Sequence, residues 1–75
     1  MYPLFESIRV EGGQAYLLQF HQARIELSYM QLFQKECPWK LISILPELPT
    51  NGLHKLRFLY NKRAFSFEIA PYEAR

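Results

Sequence analysis

The chain has 75 residues, of which 49% are hydrophobic, 21% charged and 16% aromatic, and its formal net charge is +2. This length folds into one small domain at most, and the balance of apolar and charged residues argues against a disordered chain. The single cysteine, Cys37, excludes both an internal disulfide and a Cys-built zinc site, and so weak a positive charge does not by itself mark a nucleic-acid binder.

Residues 5–10 alternate, with Glu6, Ile8 and Val10 on one side and Phe5, Ser7 and Arg9 on the other, as in a strand covered on one face. Gly12-Gly13 follows and tolerates the positive φ angles of a tight turn, which predicts a hairpin pairing Val10 with Ala15 and Ile8 with Leu17. Residues 20 to about 34 contain neither Gly nor Pro and read as a helix. Its expected apolar surface comprises Ala23, Ile25, Leu27, Tyr29, Met30, Leu32 and Phe33. A polar stripe of His21, Arg24, Ser28, Gln31 and Lys35 recurs at spacings of three and four.

Pro38 closes that segment, 39–45 form a short helix stopped by Pro46, and 48–52 are a loop. Leu56, Phe58 and Tyr60 then alternate with Lys55, Arg57 and Leu59, and Phe65, Phe67 and Ile69 alternate with Ser66 and Glu68. A loop centred on Asn61-Lys62 predicts a second hairpin in which Phe58 faces Phe65, Leu56 faces Phe67 and Lys55 faces Glu68. Pro71 and Tyr72 are expected to leave the sheet. The fold class is α+β: a two-layer arrangement of an antiparallel sheet with helices on one face, in the order β-β-α-α-β-β.

No apolar run approaches the ~18 residues of a membrane span. The first residues lack the basic and apolar regions of a secretory signal, and a lone thiol fits a reducing compartment, so a cytoplasmic location is expected. Gly12-Gly13 is no phosphate loop, since the further glycines and the Lys-Ser/Thr ending are missing. His21 and His54 have no neighbouring ligand set, so no metal site is expected. Cys37, before Pro38 and Trp39, reads as a structural thiol rather than a nucleophile. The seven glutamates form no acid/base pair that spacing can establish, and no catalytic residue is assigned.

Two features remain. In the first turns of the helix, His21 and Arg24 lie near unpaired backbone N–H groups, where a guanidinium could hold a phosphate; spacing alone favours the plainer reading, a solvated helix face. His54, Lys55, Arg57, Lys62 and Arg63 are interleaved with aromatics in the second hairpin, which would suit a small nucleic-acid- or protein-binding module. The derived register instead sends Phe58, Phe65 and Phe67 to one face and Lys55 and Arg57 to the other, so the rings read as core and no nucleic-acid partner is expected.

Phe5-Glu6-Ser7-Ile8-Arg9, a Gly turn, and then His21-Gln22-Ala23-Arg24-Ile25 together resemble the amino-terminal small domain of class IV aminotransferases. These are the fold-type IV pyridoxal-phosphate enzymes, which include branched-chain and D-amino-acid aminotransferases and aminodeoxychorismate lyase. The family pattern is F-E-(G/S/T)-I-R followed by H-x-x-R-L at a helix start, and residues 52–60 resemble the stretch that closes the small domain.

The resemblance implies that Arg24 grips the phosphate of pyridoxal 5'-phosphate, that Phe5 lines the substrate side, and that Arg57, with Lys55, lies near the strand that binds the substrate carboxylate. A charge pair is the equal alternative at Arg57. Glu6 and Arg9 are read as scaffold. The family's cofactor-bearing lysine and the carboxylate facing the pyridine nitrogen belong to a larger domain, and Lys35, Lys40, Lys55 and Lys62 match neither context. Residues 1–70 are therefore assigned to a small domain and 71–75 to the start of an interdomain linker, with the large catalytic domain outside this chain. The chain is either a fragment of a longer enzyme or a shortened relative that cannot transaminate. Expected partners are the missing large domain, a second copy in a homodimer, and an amino-acid or aminodeoxychorismate-like substrate. No membrane partner is expected, and no cofactor should be held by these 75 residues alone.

Overall fold

Strand β1 (Leu4–Glu11) carries the alternation through: Glu6, Ile8 and Val10 are buried, while Phe5, Ser7 and Arg9 are exposed. The computed structural model describes residues 4–72; residues 1–3 and 73–75, the latter most of the expected linker, lie outside the described residues. Gly12 and Gly13, at φ 60 and φ 79, turn β1 into β2 (Gln14–Ala15), and Val10 faces Ala15 as expected. A side chain at Gly13 would also press on Thr50 at 3.4 Å.

The expected pair between Ile8 and Leu17 does not form. Leu17 takes the left-handed conformation at φ 54, caps helix α1 (Leu18–Phe33) and stands exposed, so β2 ends after two residues. The helix thus begins two residues before the expected start. It ends at Gln34, also left-handed, whose N–H bonds the Met30 carbonyl at 2.9 Å.

Helix α2 (Leu41–Ile44) is a single turn within the predicted segment. Gln22 holds this part of the chain against α1: its amide donates to the Trp39 carbonyl at 2.9 Å and accepts from the Leu41 N–H at 2.7 Å. Beyond the loop, β3 (Leu53–Tyr60) pairs with β1 on one side and β4 (Phe65–Pro71) on the other. The sheet is antiparallel throughout, in the order β2-β1-β3-β4.

The β3–β4 register differs from the prediction by two residues: Phe58 faces Phe67, Tyr60 faces Phe65, Leu56 faces Ile69, and Arg57 rather than Lys55 faces Glu68. Both registers keep the same faces, because side chains alternate with a period of two. The turn decides between them. The Asn61 Oδ1 accepts from the N–H groups of Arg63 and Ala64, both at 2.8 Å, and the Asn61 N–H bonds the Ala64 carbonyl at 2.9 Å, which closes a four-residue loop. Pro71 also stays in the sheet, opposite His54, and the Tyr72 N–H reaches the Leu53 carbonyl at 2.9 Å, so the chain leaves later than expected.

One face of the sheet contributes Ile8, Val10, Leu56, Phe58 and Tyr60 to the core; Ile25 and Tyr29 of α1 and Leu41 of α2 cover it. Trp39 lies edge-on to Tyr29, Phe58, Tyr60 and Phe65, with ring centroids 5.5 to 6.1 Å away. The expected apolar face of α1 is only partly buried: Ile25 and Tyr29 point inward, whereas Phe20, Leu27, Met30 and Leu32 are exposed. No helix among the described residues is long and apolar enough to cross a membrane.

Candidate functional site

Glu6 occupies a position where the strand pattern calls for an apolar residue, on the same face as Ile8 and Val10. A carboxylate there requires partners, and the polar stripe of α1 supplies them. Glu6 Oε1 accepts a hydrogen bond from His21 Nδ1 at 2.8 Å and pairs with Arg24 Nε at 3.3 Å. Since a carboxylate only accepts, the His21 proton sits on Nδ1. The Glu6 and His21 side chains are 10% and 12% exposed, and Arg24 is 58% exposed.

His21 and Arg24, three residues apart, share a face of the helix, so one carboxylate bridges both. Ser28, one turn further, lies beside Tyr60; burial pushes the Tyr60 phenol up, and the hydrogen bond from Ser28 pulls it back. Within the stripe, His21 and Ser28 therefore meet the sheet, while Arg24, Gln31 and Lys35 are exposed.

Arg24 lies in the second turn of α1, and its guanidinium reaches back over the Phe20 ring, 5.6 Å from the centroid. The His21 N–H is already bonded to the Leu17 carbonyl, so the unpaired N–H groups are those of residues 18–20. The group brought to Arg24 is the carboxylate of Glu6. The contact recorded is at the Nε edge, an ion pair at 3.3 Å rather than a well-formed hydrogen bond.

Phe5, Lys55 and Arg57 share the opposite face of the sheet. The Arg57 guanidinium stacks over the exposed Phe5 ring at 4.7 Å and pairs with Glu68 at 3.8 Å. The charge-pair reading of Arg57 is thus met by Glu68. Lys55 stands opposite Arg9, whose charge is met by Glu11 at 2.7 Å. An open depression of about 340 Å³ lies along this face, lined by Ser7, Arg9, Leu53, Lys55 and Tyr72 among others. The four predicted site residues therefore fall on two sides of one sheet: Arg24 on the helix side and Phe5, Lys55 and Arg57 on the other, with the consecutive pair Phe5-Glu6 linking them.

The second hairpin offers no stacking platform, because Phe58 is buried and Phe65 and Phe67 pack against the core. Cys37 is half-buried and bonds the Trp39 carbonyl at 3.7 Å; burial pushes its thiol up, as in a structural cysteine. The sequence marks Glu6 only as scaffold, places His21 beside Arg24 without a role of its own, and gives Tyr60 no part in a site. A signal for Glu6 was present: a charge on the apolar side of an alternating strand.

No family model matches the sequence. An uncharacterized protein of Haemophilus influenzae strain Rd is 31% identical over 80 residues, a match that covers all of this chain and 42% of that protein. The crystal structure of a candidate 4-amino-4-deoxychorismate lyase from Haemophilus somnus 129PT superposes with a TM-score of 0.86 at 30% identity, again covering all of this chain and 42% of the other. The chain thus spans about two fifths of the length of each. Its four-stranded antiparallel sheet with helices on one face matches the amino-terminal part of that structure.

Proposed function

We propose a function from one premise: the chain belongs, by fold and sequence, with the amino-terminal small domains of the class IV, fold-type IV pyridoxal-phosphate enzymes. In the complete enzyme this domain supplies the anchor for the cofactor phosphate and one wall of the substrate site. The reaction is amino-group transfer or lyase cleavage on an amino-acid or aminodeoxychorismate-like substrate.

Arg24 carries the reading. Its Nε lies 3.3 Å from a buried carboxylate, while the side chain as a whole is more than half exposed to solvent. A planar guanidinium fork suits a phosphate, to which it can donate two parallel hydrogen bonds. The donor set therefore fits the group. Pyridoxal phosphate, when bound, supplies the electron sink for charge developing on the substrate. Phe5 presents an exposed ring that would shield the substrate from water, and Arg57 and Lys55 provide cations on the same face for a substrate carboxylate. The residues that move protons belong to the larger domain.

Each charge-assisted hydrogen bond nets about 1.5–3 kcal/mol, whereas association costs at least ~4 kcal/mol of lost freedom. The 75 residues alone are therefore expected to retain no pyridoxal phosphate after gel filtration and to show no transaminase activity. Joined to the larger domain, they should retain it. A yellow 75-residue chain, or a joined protein that never takes up the cofactor, contradicts the proposal.

The same reading carries a homodimer. Exposed apolar side chains lie on α1, in Phe20, Leu27, Met30 and Leu32, on α2 in Ile42, and on the sheet in Phe5 and Ile69. Phe20, Leu27 and Met30 share one side of α1, an apolar patch of the kind that a second copy could cover. Light scattering at high concentration should report a mass above the monomer, and a strictly monomeric, well-folded species argues against the dimer.

A further inference from the structure

We infer that Glu6 is a positioning residue, which holds Arg24 by its Nε edge so that the terminal nitrogens face an incoming anion. The inference rests on the reading of Arg24 as the phosphate anchor, yet its observations are separate from that reading. A long side chain on an exposed helix face samples many rotamers and presents its fork in no fixed direction. Arg24 is exposed, but the carboxylate it meets is buried and is held in turn by the partly buried His21, whose Nδ1–H donates at 2.8 Å. Order therefore passes from His21 to Glu6 and from Glu6 to Arg24.

Stability does not explain the arrangement. A buried ion pair rarely outdoes a well-packed apolar residue, and the flanking inward positions on this strand are Ile8 and Val10. Charge does not explain it either, because a carboxylate against the guanidinium reduces its pull on any anion. What Glu6 adds is direction. By meeting Nε, it leaves the end of the fork, with its two terminal nitrogens, for an anion that docks end-on.

The two accounts predict opposite results for Glu6→Gln. If Glu6 matters only as a charge, removing it should tighten phosphate binding. If it positions Arg24, binding should weaken about fivefold, as the fork gives up its fixed orientation. The experiment is nitrogen-15 NMR on the full 75-residue chain, following the Arg24 Nε–H signal during titration with inorganic phosphate at constant ionic strength.

The wild type should show a resolved, exchange-protected Nε–H whose guanidinium responds to phosphate at roughly tens of millimolar. Glu6→Gln should lose the protection and weaken the response. His21→Gln, which keeps the carboxylate but loosens it, should act in the same direction and stands in if Glu6→Gln does not fold. An unprotected, freely rotating Arg24 in the wild type overturns the inference without any variant. Equal or tighter phosphate binding in Glu6→Gln overturns it while leaving Arg24 as an anchor. A protected Arg24 that ignores phosphate in every variant instead overturns the phosphate reading, and with it any service of Glu6 to an anion.

Discussion

Replacing Arg24 by alanine in the complete enzyme is expected to lower cofactor retention by about ten- to a hundredfold, the equivalent of one charge-assisted hydrogen bond at about 1.5–3 kcal/mol. Folding stability should change by less than about 1 kcal/mol, because the lost ion pair is largely solvent-screened. Glu6 also keeps the His21 hydrogen bond, so its buried carboxylate is not orphaned. Arg24→Lys should fall between alanine and wild type, since an ammonium keeps the charge and loses the fork. Cofactor absorbance after dialysis, read beside a thermal melt of the same sample, separates the two effects. An alanine variant that holds cofactor like the wild type would return Arg24 to an ordinary surface charge.

Phe58→Ala is expected to have the largest effect on stability. Phe58 is fully buried, and its ring meets Tyr60 at 5.1 Å, Phe67 at 5.2 Å, Phe65 at 5.7 Å and Trp39 at 6.1 Å. Removing such a ring costs about 3–5 kcal/mol, through lost burial and the cavity left behind. A domain of this size has roughly 4–11 kcal/mol in all, so the variant should lose about half of it or unfold. Phe5→Ala, on the exposed face of the same sheet, should stay within about 0.5 kcal/mol of wild type. Urea unfolding followed by circular dichroism measures both. A Phe58→Ala midpoint equal to that of the wild type would mean that the ring cluster is not the centre of the core.

Local pattern was a good guide wherever one element decided the outcome. The alternation of β1, the Gly12-Gly13 turn with its Val10–Ala15 pair, and the faces of Phe58, Phe65 and Phe67 were legible in this way. Features that depended on a second element were not. Alternation fixes which face Phe58 takes but not whether Phe65 or Phe67 lies opposite it; the Asn61 side chain decides that.

Helical spacing groups His21, Arg24 and Ser28 on one face without saying what the face meets, and Glu6 lies fifteen residues before His21. Hydrophobicity led Leu27 and Met30 into the expected core, yet both are exposed. Of the site, Arg24 was suggested by the helix start and assigned by the resemblance, and Phe5 came from the resemblance alone. The carboxylate that joins Arg24 to the strand needed the fold.

The consecutive residues Phe5 and Glu6 point to opposite sides of a sheet one strand thick. On the proposed function that strand is a partition, with the phosphate anchor behind it and the substrate wall in front. Gaining or losing a single residue within it would exchange the two chambers, delivering the carboxylate to the substrate side and the ring to the helix. Substitutions can therefore accumulate along this strand in ways that changes of length cannot. An insertion should therefore be tolerated in the 46–52 loop far better than between Phe5 and Arg9, where geometry holds the spacing even if individual side chains change.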